Sequence, residues 1–173
     1  MADLGRRDFV VRMARAASVA APVLALLDGT VRALPRGEET DMSVLLAAIA
    51  LEHEAIAVYD QGLRRGLFPP GLKAYAVEFR GDHLGHRDTQ VAIAEERGGR
   101  APDALAHYEM GPLRNGDDLL RRALRIEIAA QEAYSALISQ IRTKDYLLSA
   151  AFILVDEVRH ETVWRRVLGL KIY

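Results

Sequence analysis

At 173 residues the chain is long enough to form one domain with a substantial buried core. Its 23 basic and 24 acidic side chains leave a net charge of -1, which gives no support for nucleic acid as a partner. There is no cysteine, so disulfides, thiolate metal sites and cysteine nucleophiles are excluded, and a composition rich in Ala, Leu, Glu and Arg favours helix.

Residues 1–33 read differently from the rest. Gly5-Arg6-Arg7-Asp8-Phe9-Val10-Val11 resembles a twin-arginine export signal, with paired arginines, one spacer, then Phe and an aliphatic residue. An uncharged stretch of 12 residues follows from Ala16 to Leu27. A spanning helix needs ~20, so the stretch reads as the apolar region of a signal and not as a permanent membrane anchor. Val31-Arg32-Ala33 offers small residues for cleavage. The expected location is the periplasm or another extracytoplasmic space, reached by a route that carries folded, often cofactor-loaded proteins.

Residues 34–173 are expected to form one all-α unit. Leu34 to Thr40 reads as a polar linker, with Asp41 or Ser43 capping a first helix from about Met42 to Arg65. Gly66-Leu67-Phe68-Pro69-Pro70-Gly71 ends it, and a second helix runs from about Leu72 to Arg97 before Gly98-Gly99. Pro102, Gly111, Pro112 and Asn115-Gly116 break the stretch that follows. A third helix runs from Asp117 to about Arg142. A turn near Thr143-Lys144 leads to a fourth, ending near Gly169. A helix of ~25 residues is ~38 Å long, and an extended connection of ~18 residues can cross that length. The expected architecture is therefore an antiparallel four-helix bundle with one long crossover between the second and third helices.

The second half repeats the first. Leu45, Ile49, Glu52, Ile56, Tyr59 and Leu63 answer, 75 residues on, to Leu120, Leu124, Glu127, Gln131, Tyr134 and Ile138. Leu72, Ala76, Phe79, His83, His86, Gln90 and Ile93 answer, 74 residues on, to Tyr146, Ala150, Ile153, Glu157, His160, Trp164 and Val167. The steps of three and four place each set on one helix face. Glu52, Glu127, Glu157, His83, His86 and His160 thus fall inside core stripes. Buried charge is normally paired or bound to metal. His83/His86 and Glu157/His160 are spaced i, i+3, so each pair can reach a common ion. Two such pairs with two lone carboxylates suit a dinuclear site. The available donors favour iron or manganese, one or two ions, and are also compatible with zinc.

These residues and this topology resemble the ferritin-like superfamily of ferritins, bacterioferritins and rubrerythrins, over about Met42 to Gly169. The resemblance implies a Glu on the first and third helices and Glu-x-x-His on the second and fourth, around two iron or manganese ions. Glu157-Val158-Arg159-His160 matches the fourth-helix motif, and Glu52 and Glu127 match the lone carboxylates. The second helix departs from it, reading Asp82-His83-Leu84-Gly85-His86, with His83 at the bridging-carboxylate position. A neutral imidazole cannot bridge two ions, so the second metal position is expected to be weaker or absent unless Asp82 replaces it by a small rotation. Gly85 suggests a close approach or a kink there.

Other residues carry blander expectations. Tyr59 and Tyr134 are core groups that hydrogen-bond a ligand carboxylate, and Trp164 is core packing. Glu54, Glu132, Arg64-Arg65 and Arg121-Arg122 belong to solvated faces; His53 and His107 need no function. The family's storage cages carry a fifth helix, whereas only Leu170-Lys171-Ile172-Tyr173 follow Gly169. The leading functional expectation is an exported metal-binding protein that oxidises ferrous iron or removes peroxide or oxygen. If it is an enzyme, it is a di-metal oxidoreductase. The alternative is a metal-free bundle with a structural, stress-protective or partner-binding role. A homodimer is compatible with either.

Overall fold

A computed structural model of the chain describes residues 38–138 and 141–172; the expected export signal at 1–33 lies outside them. Four helices follow in order: α1 (Glu38–Arg64), α2 (Lys73–Glu96), α3 (Gly116–Ile138) and α4 (Lys144–Val167). One 3-10 turn, Pro70–Leu72, precedes α2, and the described residues contain no strand. The expected all-α bundle with a long α2–α3 crossover is what forms.

Local chemistry sets the ends. Gly66 closes α1 with φ +63°, a left-handed conformation that costs glycine little. The amide of Leu67 then reaches back to the carbonyl of Gly62 at 3.0 Å, which satisfies an otherwise orphaned helix-end acceptor. Gly98 ends α2 in the same way, with φ +75° and the Gly99 amide on Ala94 O at 2.8 Å. Asp41 does not cap α1 as expected. It lies inside that helix, and its carboxylate accepts from the amides of Arg142 (3.1 Å) and Thr143 (2.7 Å). It therefore fixes the turn that starts α4, with its negative charge at the favourable end of that helix dipole.

Helix α1 is the most enclosed of the four. By length and composition Asp41–Arg64 could cross a bilayer, yet 67% of its most apolar window is buried inside the protein. A helix apolar on several sides belongs at the centre of a bundle. Neighbouring helices cover its inner side, and the crossover covers part of its outer side, with His53 Nε2 3.2 Å from Pro102 O. Gly62 is buried, and a Cβ there would meet Leu119 at 2.4 Å, so glycine is what lets α3 pack this closely. Trp164, Tyr59, Phe79 and Ile49 have at most 1% of their surface exposed. Each contributes roughly 2–3 kcal/mol of apolar burial.

That enclosure corrects two surface assignments. Glu54 and Arg122 are buried, at 3% and 1% exposure, and pair at 2.7 Å between α1 and α3. Arg122 also donates to Glu109 O of the crossover at 3.2 Å. The faces read as solvated are solvated only where the crossover does not lie over them. Arg64, Arg65, Arg121 and Glu132 are exposed, as expected.

Candidate metal centre

All six stripe residues converge at mid-bundle. Glu52 comes from α1, His83 and His86 from α2, Glu127 from α3, Glu157 and His160 from α4. None exceeds 9% exposure. Two overlapping groups have donor atoms within 4.8 Å of one another: Glu52, His83, His86 and Glu157; and His83, Glu127, Glu157 and His160. His83 and Glu157 belong to both. The position that departs from the family pattern is thus central to the cluster.

The distances define an inner and an outer side. His83 Nδ1 lies 2.9 Å from Glu52 Oε2 and 3.6 Å from Glu157 Oε1, and its Nε2 lies 3.5 Å from Glu127 Oε2. His86 turns Nδ1 inward, 3.4 Å from Glu157 Oε1, and Nε2 outward to Asp156 at 3.2 Å. His160 likewise turns Nδ1 toward Glu127 at 3.3 Å and Nε2 toward Asp82 at 3.1 Å. Asp82 therefore does not replace His83 within the cluster. It stands behind His160, on the solvent side. An acidic group behind an imidazole fixes the orientation of the ring.

The carboxylates are held with the same symmetry. Tyr59 donates to Glu127, and Tyr134 donates to Glu52 at 2.5 Å, so each half of the repeat supports the other's carboxylate. Behind them, Trp164 Nε1 donates to the Tyr59 hydroxyl and Gln90 Nε2 to that of Tyr134, both at 2.7 Å. Trp164 is packed as expected and also carries a hydrogen bond. Phe79 stacks on His160 with centroids 3.9 Å apart, closing that side with an apolar ring.

Three carboxylates in a dry interior demand compensation. Burial opposes ionisation of Glu52, but the hydrogen-bonded His83 and the neighbouring His86 outweigh it and hold its pKa down at about 2. Burial also opposes the charge on Glu127, which His83 and His160 keep well below the usual carboxylate range. For His83, burial disfavours the imidazolium, yet Glu157, Glu127 and Glu52 raise its pKa well above 6.5. Glu157 goes the other way: burial, with Glu127 and Glu52 beside it, pushes it well above 4.5 against the pull of His83. His86 is raised too, with burial opposed by Glu52 and Asp156, so without metal the imidazoles of His83 and His86 together offset the charge of the buried carboxylates.

Metal is the other way to balance it, and the donors fit. Among the described residues, four buried cluster atoms have no hydrogen-bond partner: His83 Nε2, His86 Nδ1 and both carboxylate oxygens of Glu157. An orphaned buried acceptor costs about 1–3 kcal/mol, more for a charged one. These atoms converge from two helices and are oxygen and imidazole donors, the set that iron, manganese and zinc accept. Gly85 lies outside this packing: it is exposed, and a Cβ there would meet nothing within 4 Å. It mediates no close approach.

Sequence reasoning passed over Asp156 and read Asp82 only as a substitute ligand. The 74-residue repeat that pairs His86 with His160 also pairs Asp82 with Asp156, and that signal sufficed to find both. His53 and His107 take no part in the cluster.

Comparison with known proteins agrees with the fold. A family model described as a ferritin-like domain matches residues 40–170. Among solved structures, the chain is similar to a conserved hypothetical protein, rv2844, from Mycobacterium tuberculosis. The TM-score is 0.70 and the identity 29%, over 76% of this chain and 98% of that one. No curated protein matches.

Proposed function

The chain belongs to the ferritin-like family, and from that premise we propose that its buried Glu/His cluster binds transition-metal ions, iron or manganese foremost. Glu52, His83, His86, Glu127, Glu157 and His160 would hold one or two of them. The observation that carries this reading is Glu157, fully buried with neither oxygen hydrogen-bonded, beside His83 Nε2 and His86 Nδ1, which make no hydrogen bond either. Bound iron or manganese supplies redox chemistry toward oxygen, peroxide or ferrous iron. Around the ions, the residues of the chain orient and exclude. Tyr59 and Tyr134 fix two carboxylates, Asp82 and Asp156 fix two imidazoles, and Phe79 with Trp164 keeps water from one flank. Such a centre would serve ferrous-iron oxidation or removal of peroxide or oxygen, and residues 1–33 would export the folded, loaded protein.

One observation favours a second reading. His83 sits where the family carries a carboxylate, and the surrounding acids raise its pKa; an imidazolium there would offset part of the buried charge without metal and leave the bundle a structural or partner-binding role. Elemental analysis of protein grown with iron and manganese separates the two. One or two ions per chain, lost in a Glu127→Ala, His160→Ala double variant, is the expected result. No metal in either protein would sink the oxidase reading. Aerobic addition of ferrous iron to the loaded protein then tests the reaction, against the buffer rate.

A further inference from the structure

Along the seam between α2 and α4 the buried cluster comes within one side chain of solvent. This is a looser seam than those of the two hairpins. Asp82 and Asp156 stand there, 30% and 38% exposed, each hydrogen-bonded to the outward nitrogen of a buried histidine. One guanidinium spans both. Arg159 Nη2 lies 2.6 Å from Asp82 and 3.4 Å from Asp156, and its Nη1 lies 2.6 Å from Glu78. The same Nη2 comes within 3.4 Å of His160 Nε2. The guanidinium carbon also lies 5.5 Å from the centroid of the Phe79 ring, which stacks on His160.

We propose that this seam is the route by which a divalent cation reaches the buried cluster, with Asp82 and Asp156 as its outer receiving site and Arg159 as a resident cation that must move aside. The proposal rests on the reading of the cluster as a metal site. Two acids facing solvent do not by themselves mark a route. Here the second observation is inside: His86, 9% exposed, contacts Asp156 through one nitrogen and leaves its inward Nδ1 without a hydrogen bond, 3.4 Å from a Glu157 carboxylate that makes none either. A cation held by Asp156 is one imidazole away from empty donors. The guanidinium occupies the position an incoming ion would take, making its own charge-assisted contacts to the same oxygens. An Arg–carboxylate cluster 30–52% exposed is held weakly enough to open.

The repeat supplies a control. The residue 74 positions before Arg159 is Gly85, on the matching outer face of α2. Only one side of the seam therefore carries a guanidinium, and a Cβ at Gly85 has open space. Gly85→Arg would place a second cation within reach of Asp156 without altering any residue of the cluster.

Kinetic loading of metal-free protein with Co(II), followed by its visible absorbance, tests this together with final stoichiometry. Relative to wild type, Arg159→Ala should load several-fold faster. The Asp82→Asn, Asp156→Asn variant and Gly85→Arg should each load about tenfold slower, the size of effect that local charge has on association. At saturating cobalt Arg159→Ala and Gly85→Arg, which alter no residue that holds or orients a ligand, should reach the wild-type number of ions. Circular dichroism of each metal-free variant confirms folding; if the double Asn variant fails to fold, Gly85→Arg and Arg159→Ala decide. Unchanged loading rates in a protein that does take up cobalt would overturn the route while leaving the metal site intact. A wild-type protein that takes up none overturns both.

Discussion

The first hairpin, α1–α2, and the second, α3–α4, carry the same side chain at four levels of the centre: Glu52 and Glu127, Tyr59 and Tyr134, His86 and His160, Asp82 and Asp156. They differ at His83 against Glu157, Gly85 against Arg159 and Gln90 against Trp164. The matched residues reach across to the other half in reciprocal pairs. Tyr59 supports Glu127 as Tyr134 supports Glu52; Asp82 orients His160 as Asp156 orients His86. His83 and Glu157 face each other 3.6 Å apart on the pseudo-symmetry axis, where identity would set like beside like. An unlike pair there gives the metal-free protein its own cation. The same pair removes one of four carboxylates that could balance two divalent ions.

Making the halves alike should break that balance most severely. His83→Glu would bury a fourth carboxylate and remove the central imidazole that offsets the other three, destabilising the metal-free protein by several kcal/mol. Metal should restore the loss and raise the stoichiometry toward two ions, as read by chemical unfolding and elemental analysis. Next comes the Glu54–Arg122 pair, whose counterparts in the repeat are Ala129 and Ala47. Glu54→Ala leaves a buried guanidinium without its carboxylate and should cost roughly 3 kcal/mol by urea unfolding.

That pair has a pH signature as well. Burial pushes Glu54 up from 4.5 to about 7, against the attraction of Arg122. The folded state therefore holds a proton that the unfolded chain releases. The stability this contributes is complete below pH 4.5 and is lost as pH rises through 7. Glu54→Gln should flatten the decline of the unfolding midpoint across that window, leaving the contributions of other groups in place. The smallest effect is expected at Gly85. Its side of the helix is open, so Gly85→Ala should stabilise by about 0.5–1 kcal/mol, visible as a raised thermal midpoint.

The repeat and its spacing made the bundle, the crossover and all six cluster residues legible, because core stripes need only helical periodicity. Glu54 and Arg122 escaped because a helical wheel assumes one buried face, whereas the crossover buries part of a second face of α1. Asp41 was legible as a capping residue, but its partner, the turn at Arg142 and Thr143, lies about 100 residues on, a distance no local rule covers. Asp82 was misplaced for a finer reason. Adjacent helix positions differ by about 100° of rotation, so with His83 pointing inward Asp82 is carried toward the neighbouring helix, where His160 meets it.

The crossed tyrosines bear on divisibility. Either hairpin alone would hold a carboxylate whose hydroxyl donor lies in the other hairpin and a tyrosine with nothing to donate to. Half a chain is therefore not half a centre. Two fragments cut in the exposed crossover near Ala104 would each be incomplete, and each would supply what the other lacks. Two copies of a single ancestral hairpin, packed face to face, would satisfy the same exchange, which makes this centre a dimer interface enclosed within one polypeptide.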